Sequence, residues 1–204
     1  DAVERAMEAN VIAEAPVGHR FAHDLIRRSL DDAITAERRK LLHRKLADAM
    51  IASGSVGPAD VATHLEAGGR AGHAVPYRVR AAEAATRAYA LPEALALYGL
   101  ALSDGPGDIE AFRIHGARCE LFRNVGDEAG RKACLEAMAA IVDRTDEPSL
   151  QVDLAIKQSI DHFEHDRYAE ARHTVESALQ RLQGRIDDFD GARLRLELGA
   201  TLEA

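Results

Sequence analysis

Aromatic residues are scarce in this sequence, and tryptophan is absent. Phenylalanine and tyrosine make up 4% of the 204 residues, whereas 47% are apolar and thirty-nine of those are alanine. Alanine has the highest intrinsic helix propensity because it loses no side-chain entropy in a helix. There is also no long alternating run of β-branched residues of the kind that forms a sheet. The composition therefore predicts helices packed on helices, with little strand.

Cysteine is nearly absent as well, and no apolar run reaches the length of a membrane-spanning helix. Cys119 and Cys134 are too few for a disulfide framework and lack the spacing of a metal-binding knuckle. We expect two buried, reduced thiols, which fits a cytoplasmic protein. The N-terminus lacks the character of a signal peptide. Both ends fall within helical patterns, so we expect the chain to be part of a longer polypeptide.

The net charge of −8 argues against nucleic-acid binding by the chain as a whole. Residues 20–45 differ, because they contain eight arginines and lysines but only four acidic residues. We call this stretch the basic segment. It could contact DNA, but the interleaved acidic residues and the lack of a complete helix-turn-helix favour a face that docks another protein domain. The candidate docking residues are Arg27, Arg28, Arg38 and Arg39.

The N-terminal third predicts short helices around one β-hairpin. Residues 1–9 have a helical pattern, and the stretch 11–21, with Pro16 and Gly18 as turn formers, is the only plausible hairpin. Helical spacing then resumes at once, with four apolar residues on one face: Phe21, Leu25, Ile26 and Leu30. The next helix begins near Thr35, a good N-cap, and another begins at Pro58 and stops at Gly68.

From residue 71 the pattern changes to helical pairs at a regular spacing. The predicted pairs cover about 71–103, 108–143 and 149–183, and a truncated helix begins near Gly191. Paired helices that repeat at about 34 residues are typical of a helical solenoid.

Small residues within these pairs resemble the tetratricopeptide (TPR) motif. In that motif, small residues let two helices cross closely and a large one fills the gap toward the next pair. The matching positions are Ala82, Ala94, Tyr98, Ala101 and Pro106 in the first pair, and Tyr168, Ala171 and Ala178 in the third. The middle pair departs from the motif, because Arg131 stands at the expected small position. The resemblance implies a right-handed solenoid whose concave face binds a ligand or partner, with Glu83, Arg123 and Phe163 as candidate contacts.

The N-terminal part resembles a more specific family. The stretches Phe21-Ala-His-Asp-Leu-Ile-Arg-Arg28, Glu37-Arg-Arg-Lys-Leu-Leu-His43 and Ala59-Asp-Val-Ala-Thr-His64 are similar to the region after the nucleotide-binding core of bacterial STAND-class ATPases. That class includes LuxR-type transcriptional regulators and ATPase-linked nucleotidyl cyclases. The resemblance implies a partial winged-helix-like segment with linking helices over residues 1–55, followed by TPR-like repeats over 56–204. It also implies an ATPase core upstream and an output domain elsewhere in the parent protein.

No motif in the sequence indicates catalysis or a cofactor. Gly105-Pro-Gly107 lacks the lysine and hydroxyl residue of a phosphate loop, and Ser55 is not in a nucleophile elbow. His162 and His165 share a helix face but have no third metal ligand at a diagnostic spacing. We expect structural roles for three other histidines, each bonding a backbone carbonyl or a carboxylate between helices: His23, His43 and His64.

The sequence therefore predicts an all-α, non-catalytic regulatory segment of a STAND-type ATPase. The expected partners are the ATPase core of the same polypeptide, docked on the basic segment, and an unidentified protein, peptide or small molecule on the concave face. We expect no cofactor, no metal, no membrane contact and no direct nucleic-acid contact. The alternative is a free-standing TPR adaptor that scaffolds other proteins.

Overall fold

The computed structural model describes residues 1–16 and 18–202, and the chain forms two compact units, residues 1–73 and 74–204. The helices of the described residues are α1 (Ala2–Glu8), α2 (Asp24–Ala33), α3 (Ala36–Ser53), α4 (Pro58–Ala67), α5 (Ala71–Arg87), α6 (Leu91–Ser103), α7 (Asp108–Val125), α8 (Glu128–Thr145), α9 (Pro148–Glu164), α10 (Tyr168–Arg181) and α11 (Asp188–Leu202). The strands are β1 (Ile12–Glu14) and β2 (His19–Phe21).

The first unit contains the predicted hairpin. β1 and β2 pair antiparallel, with Ile12 opposite Phe21 and Glu14 opposite His19. Phe21 was predicted both as the last residue of the hairpin and on the apolar face of the helix that follows; the first is confirmed and the second is wrong, because the pairing with Ile12 holds Phe21 in an extended conformation. The helix α2 begins three residues later, at Asp24.

The helices α3 and α4 pack against each other, and residues at their ends set where each helix begins and stops. The hydroxyl of Thr35 accepts a hydrogen bond from the backbone N–H of Arg38, which caps the start of α3. Gly54 ends α3 in the left-handed conformation, at φ +62°. Gly68 follows the last residue of α4, and a Cβ at this position would lie 3.0 Å from Cγ of Arg44, so any side chain there would clash with α3. The glycine lets the end of α4 approach α3 closely.

The second unit is a series of helices stacked in successive pairs. α7 packs on α8, α9 packs on α10, and α11 contacts both α9 and α10. Each pair contacts the next through α6 with α7 and through α8 with α9. α11 begins at Asp188, three residues before the predicted start, because the carboxylate of Asp187 accepts from the N–H of Asp190 and caps the first turn.

The core of the second unit consists of separate clusters between neighbouring helices. α5, α6 and α7 share one cluster, in which alanines at the crossings are fully buried and Tyr98 is 5% exposed. A second lies between α7, α8 and α9, around Phe112 and Met138. A third joins α9, α10 and α11 around Val175 and Leu194. Each helix therefore buries its apolar stripe against its nearest neighbours in sequence, as in repeat proteins.

The predicted all-α class with one short hairpin is confirmed, and so is the helical-repeat organisation. The TPR and winged-helix identities stay predictions, as does the division at residue 55, which follows the two resemblances. Among the described residues, no helix has both the length and the apolar character needed to cross a bilayer.

Candidate functional site

The four arginines of the predicted docking patch lie at the surface of the first unit. Arg27 and Arg28 are on α2, whereas Arg38 and Arg39 are on the first turn of α3. The guanidinium of Arg39 donates to the backbone carbonyl of Asp31, and the guanidinium of Arg27 lies 3.2 Å from the Asp31 carboxylate. Two of the arginines, one from each helix, therefore meet at Asp31.

The positive charge of the patch is concentrated on α3. On α2, Arg27 and Arg28 both pair with Asp24 at 2.8 Å. These pairs are solvent-exposed, so each contributes less than about 1 kcal/mol, but they neutralise the charge of α2. Within residues 1–16 and 18–202, Arg38 and Arg39 have no carboxylate within ion-pair distance. The surface charge that could attract an acidic partner therefore comes from α3.

A groove runs beside these arginines. It is lined by residues of α2 and α3 and by the segment that joins them, and its volume is about 540 Å³. The lining residues are Asp31, Ile34, Arg39, Leu42, His43 and Leu46. We call this surface the α2–α3 groove.

The predicted small positions of the first TPR-like pair are buried. Ala82 on α5 and Ala94 and Ala101 on α6 have no solvent exposure. Tyr98 lies between the two α6 alanines in the same cluster, and burial raises the pKa of its hydroxyl. Pro106 is half-buried in the loop after α6. This pattern fits a close crossing with one large side chain filling the space beside it.

The third pair repeats the pattern seventy-seven residues later, with one difference. Ala171, Val175 and Ala178 on α10 are buried to the same extent as Ala94, Tyr98 and Ala101 on α6. Tyr168 is at the start of α10 and is 38% exposed, and its hydroxyl donates to the Asp166 carboxylate at 2.8 Å. Val175 therefore occupies the position that Tyr98 has in α6.

The three predicted concave-face residues are all at the surface, and no contact among the described residues links them to each other. Glu83 is exposed on α5. Phe163, on α9, packs edge-to-face against Tyr168 with ring centroids 5.1 Å apart. Arg123, on α7, pairs with Glu120 at 2.6 Å and with Glu164 at 3.2 Å. Only Arg123 belongs to a larger cluster of functional groups.

That cluster lies where α7, α8 and α9 meet, and we call it the charged junction. It combines three cations with three carboxylates: Arg123, Arg131, Lys157, Glu120, Asp161 and Glu164. Lys157 reaches across from α9 to Glu120 on α7 at 2.7 Å. The cavity enclosed by these side chains measures about 10 Å³, which is room for about one water molecule. The junction is therefore an ion-pair network that joins two helical pairs, and it is too small to admit a substrate.

Arg131 is the centre of the charged junction. Its side chain is 5% exposed, and its guanidinium contacts Glu164 at 2.5 Å, Asp161 at 2.9 Å and Glu128 at 2.8 Å. Burial alone would lower the pKa of Arg131, but these carboxylates outweigh it and raise the pKa above its usual value. Arg131 stands where the TPR motif has a small residue, and ion pairs with Asp161 and Glu164 of the next helical pair accommodate its long side chain. The sequence showed that Arg131 departs from the motif, but it did not identify the carboxylates that pair with it.

Burial and nearby charges also act in opposite directions on the pKa values of two neighbouring groups, Glu120 and His165. Burial would raise the pKa of Glu120, but the bond from Lys157 and the charge of Arg123 lower it. A hydrogen bond to the Asp161 backbone carbonyl, with the carboxylates of Asp161 and Glu128, raises the pKa of His165. Both shifts favour the charged forms, which stabilise the network.

The histidines of the first unit that were predicted to be structural are arranged differently from the prediction. His43 on α3 and His64 on α4 were expected to bond carbonyls or carboxylates, and this is wrong, because their Nδ1 atoms lie 2.8 Å apart. The two rings are nearly parallel, tilted by 30°. His23 precedes α2 at the N-cap position, where its side chain makes no capping bond.

Both cysteines are buried and reduced, as predicted. Cys119 on α7 and Cys134 on α8 share a small cluster with Leu135. Burial raises the pKa of the Cys119 thiol to about 11, and it raises the pKa of Cys134 as well. Neither thiol is activated as a nucleophile.

His162 and His165 do not form a metal site with their neighbours. His165 contacts the Asp161 carbonyl at 2.6 Å and Glu128 at 3.1 Å, whereas Nδ1 of His162 is buried without a partner. In the part of the chain that the structure describes, no group of three or more histidine, cysteine or acidic side chains is placed to hold a metal ion.

Comparison with known protein families finds no family that matches this chain, and no curated protein sequence matches it significantly.

Proposed function

We propose that this chain is a regulatory and protein-interaction segment of a STAND-type signal-transduction ATPase, of the kind found in bacterial LuxR-type transcriptional regulators. In this proposal the helical pairs of the second unit bind a ligand or partner in the cytoplasm. The basic segment of the first unit docks the ATPase core of the same polypeptide. The chain itself carries out no reaction.

The observation that supports this most is the repeated burial pattern of α6 and α10. Ala94, Tyr98 and Ala101 in one helix match Ala171, Val175 and Ala178 in the other, each with the small residues fully or almost fully buried. Helical pairs with this crossing pattern stack into extended surfaces, and such surfaces serve for recognition. The pattern thus supports the TPR resemblance, to which a binding role belongs.

The state of the polar clusters also supports a non-catalytic role. General acids and nucleophiles are tuned so that the reactive form is available near neutral pH. In the charged junction the pKa of Glu120 is lowered by its cationic neighbours, and the pKa of the Cys119 thiol is raised to about 11. The lowered pKa keeps Glu120 ionised, so it is not available as a general acid, and the raised pKa keeps the Cys119 thiol protonated, which makes it a poor nucleophile.

A free-standing TPR adaptor is the second candidate, and one observation favours it. The second unit has its own core clusters, formed between α5 and α11, so its helical pairs bury their apolar faces among themselves. An ATPase is therefore not needed to complete the fold of this unit.

The coding sequence upstream of this chain separates the two candidates, since a Walker A motif there is required by the first and not by the second. If an ATPase core is encoded, the purified core should bind this chain in calorimetry. Reversing the charge of Arg38 and Arg39 should weaken that binding and alter nucleotide turnover of the intact parent. Absence of an upstream phosphate loop would refute the STAND assignment and leave the adaptor.

A further inference from the structure

The helix α2 is amphipathic, yet none of its residues is buried. Leu25 is 76% exposed and Leu30 is 44% exposed, although both are leucines on a ten-residue helix. An amphipathic helix in a folded protein normally buries its apolar stripe. Among the described residues, most of the apolar side of α2 is thus left uncovered, with only Ile26 partly buried.

The helix α3 also leaves most of its apolar residues exposed, and it is longer than α2. Of its 18 residues only Ala47 is buried. Leu42 and Leu46 are one helical turn apart, so they share a face, and both line the α2–α3 groove while remaining nearly half exposed. A row of leucines one turn apart, along an open groove, is the surface that accepts the apolar face of another helix.

Basic side chains border this row. Arg38 is one turn before Leu42 on the same face, and Arg39 lines the groove itself. α3 contains five arginines and lysines but only two acidic residues, Glu37 and Asp48. The groove therefore combines an apolar floor with a basic border on the α3 side, whereas Asp31, which pairs with Arg27, lines it from α2.

We propose that the α2–α3 groove binds an amphipathic helix of a protein partner, with its apolar row on Leu42 and Leu46 and its carboxylates facing Arg38 and Arg39. Charge complementarity selects this occupant. A second copy of the chain would bring like charges together on the two α3 helices. The inference rests on the proposed function in one respect, that the chain acts by binding a protein.

Two other classes of partner fit the groove less well. An anionic membrane surface attracts amphipathic helices with a basic polar face, but a broad surface would meet the three aspartates of α2 as well as the arginines of α3, whereas a single helix seated on Leu42 and Leu46 can lie along α3. DNA would engage the arginines through its phosphates, but it would leave the leucines in water. Only an acidic, apolar helix uses both features of the groove.

The test is fluorescence anisotropy with the full chain and a labelled synthetic peptide about five turns long. The acidic peptide has leucine at alternate spacings of three and four residues and glutamate at the charged positions. A matched peptide has lysine in place of each glutamate. We expect saturable binding of the acidic peptide, at least about tenfold tighter than the lysine peptide, and a weaker affinity at high salt.

Paired variants locate the binding site. Leu42→Asn should weaken the acidic peptide about tenfold, because burying a leucine side chain contributes roughly that factor or more. Leu41→Asn is the control, because Leu41 is a similarly exposed neighbour on α3 that does not line the groove. The affinity of this variant for the acidic peptide should stay within about twofold of that of the native chain. Arg38→Glu should weaken binding mainly at low salt, whereas Arg113→Glu, an exposed arginine of the second unit, should not. Circular dichroism of each variant confirms that the helices are retained.

Several outcomes would overturn the inference. The acidic peptide could fail to bind, or bind Leu42→Asn as tightly as the native chain. A Leu42-dependent dimer in light scattering would assign the groove to a second copy, and Leu42-dependent binding to anionic vesicles would assign it to a membrane. A duplex-DNA shift abolished by Arg38→Glu but unchanged by Leu42→Asn would assign the arginines to nucleic acid.

The inference and the proposed function fail in different ways. If the acidic peptide binds the groove but no ATPase is encoded upstream, the groove inference is supported and the STAND assignment is refuted. If an upstream ATPase core binds this chain equally well after Leu42→Asn, the proposed function is supported and the groove inference is refuted.

Discussion

The Nδ1 atoms of His43 and His64 lie 2.8 Å apart and form a hydrogen bond between α3 and α4. Because a neutral imidazole has one donor and one acceptor nitrogen, one ring must present its Nδ1 proton and the other its lone pair. Nearby, Nε of Arg44 donates to the Gly68 carbonyl at 2.6 Å, and Arg70 pairs with Asp48 at 2.7 Å. Three polar contacts therefore hold α3 against α4 and the short segment that follows α4, although α3 buries only one residue.

We expect the imidazole pair to contribute measurably to the stability of the first unit. His43→Ala and His64→Ala should each lower the free energy of unfolding by about 1 kcal/mol at neutral pH, since each leaves a half-buried nitrogen without its partner. The double variant should lose less than the sum of the two. His73→Ala, at an exposed histidine of the same unit, is the control and should have little effect. Additive losses in a double-mutant cycle would contradict a direct bond.

The buried guanidinium of Arg131 should be the most sensitive position of the charged junction. Arg131→Met keeps much of the side-chain volume but removes the buried cation that Asp161 and Glu164 share, leaving them only the more exposed Arg167 and Arg123, and we expect a loss of about 1–3 kcal/mol in chemical denaturation. Lys132→Met, at the exposed neighbouring lysine, should change stability by less than about 0.5 kcal/mol. Equal stability of the two variants would mean that water replaces Arg131 at no cost.

The α6 crossing can be tested with two alanines of the same helix. Ala94 has no solvent exposure, whereas Ala96 is exposed. Ala94→Leu should overpack the contact and cost about 1–3 kcal/mol, because a filled core cannot absorb the added carbons without moving. Ala96→Leu adds the same atoms on the solvent side and should be nearly neutral. An unchanged denaturation midpoint for Ala94→Leu would show that Ala94 is not at a close helix crossing, and this position would no longer support the TPR resemblance.

The cysteines should be unreactive in the folded chain. With the pKa of Cys119 raised to about 11 by burial, the thiolate fraction at about pH 8 is on the order of one in a thousand, and the thiol is also shielded from reagent. Labelling with a thiol reagent at that pH should be slow in buffer and rapid for both cysteines after denaturation. The rate in buffer should increase with destabilising variants such as Arg131→Met, because labelling then follows opening of the fold. Rapid labelling of the native chain would contradict the burial of this pair.

The boundaries of the helices could be read from the sequence because their signals are local. Thr35, Gly54 and Pro58 act on backbone groups within one turn, so each has the same meaning in any helical protein. The hairpin at 11–21 was predicted for the same reason, from two turn formers between short apolar arms. Phe21 fitted both the hairpin and the apolar face of the next helix, and pairing with Ile12, nine residues earlier, places it in the strand.

The alanine positions of the candidate site were also predictable, but its polar contacts were not. The TPR resemblance places a small residue at each of these positions, and Ala94, Ala101, Ala171 and Ala178 are buried. Arg131 meets Asp161 and Glu164 from a helix about thirty residues away, and its long side chain has several rotamers that periodicity does not distinguish.

The all-α class and the helix ends could be predicted from the sequence, because propensity and capping signals act within one helix, and the buried alanines were expected from the TPR resemblance. Which charges are neutralised depends on how the helices pack. Packing brought Arg131 of α8 against Asp161 and Glu164 of α9, and it left Arg38 and Arg39 without carboxylate partners among the described residues. Ion pairs between helices depend on how the neighbouring helices are rotated and spaced, and residue periodicity within one helix carries no information on that arrangement.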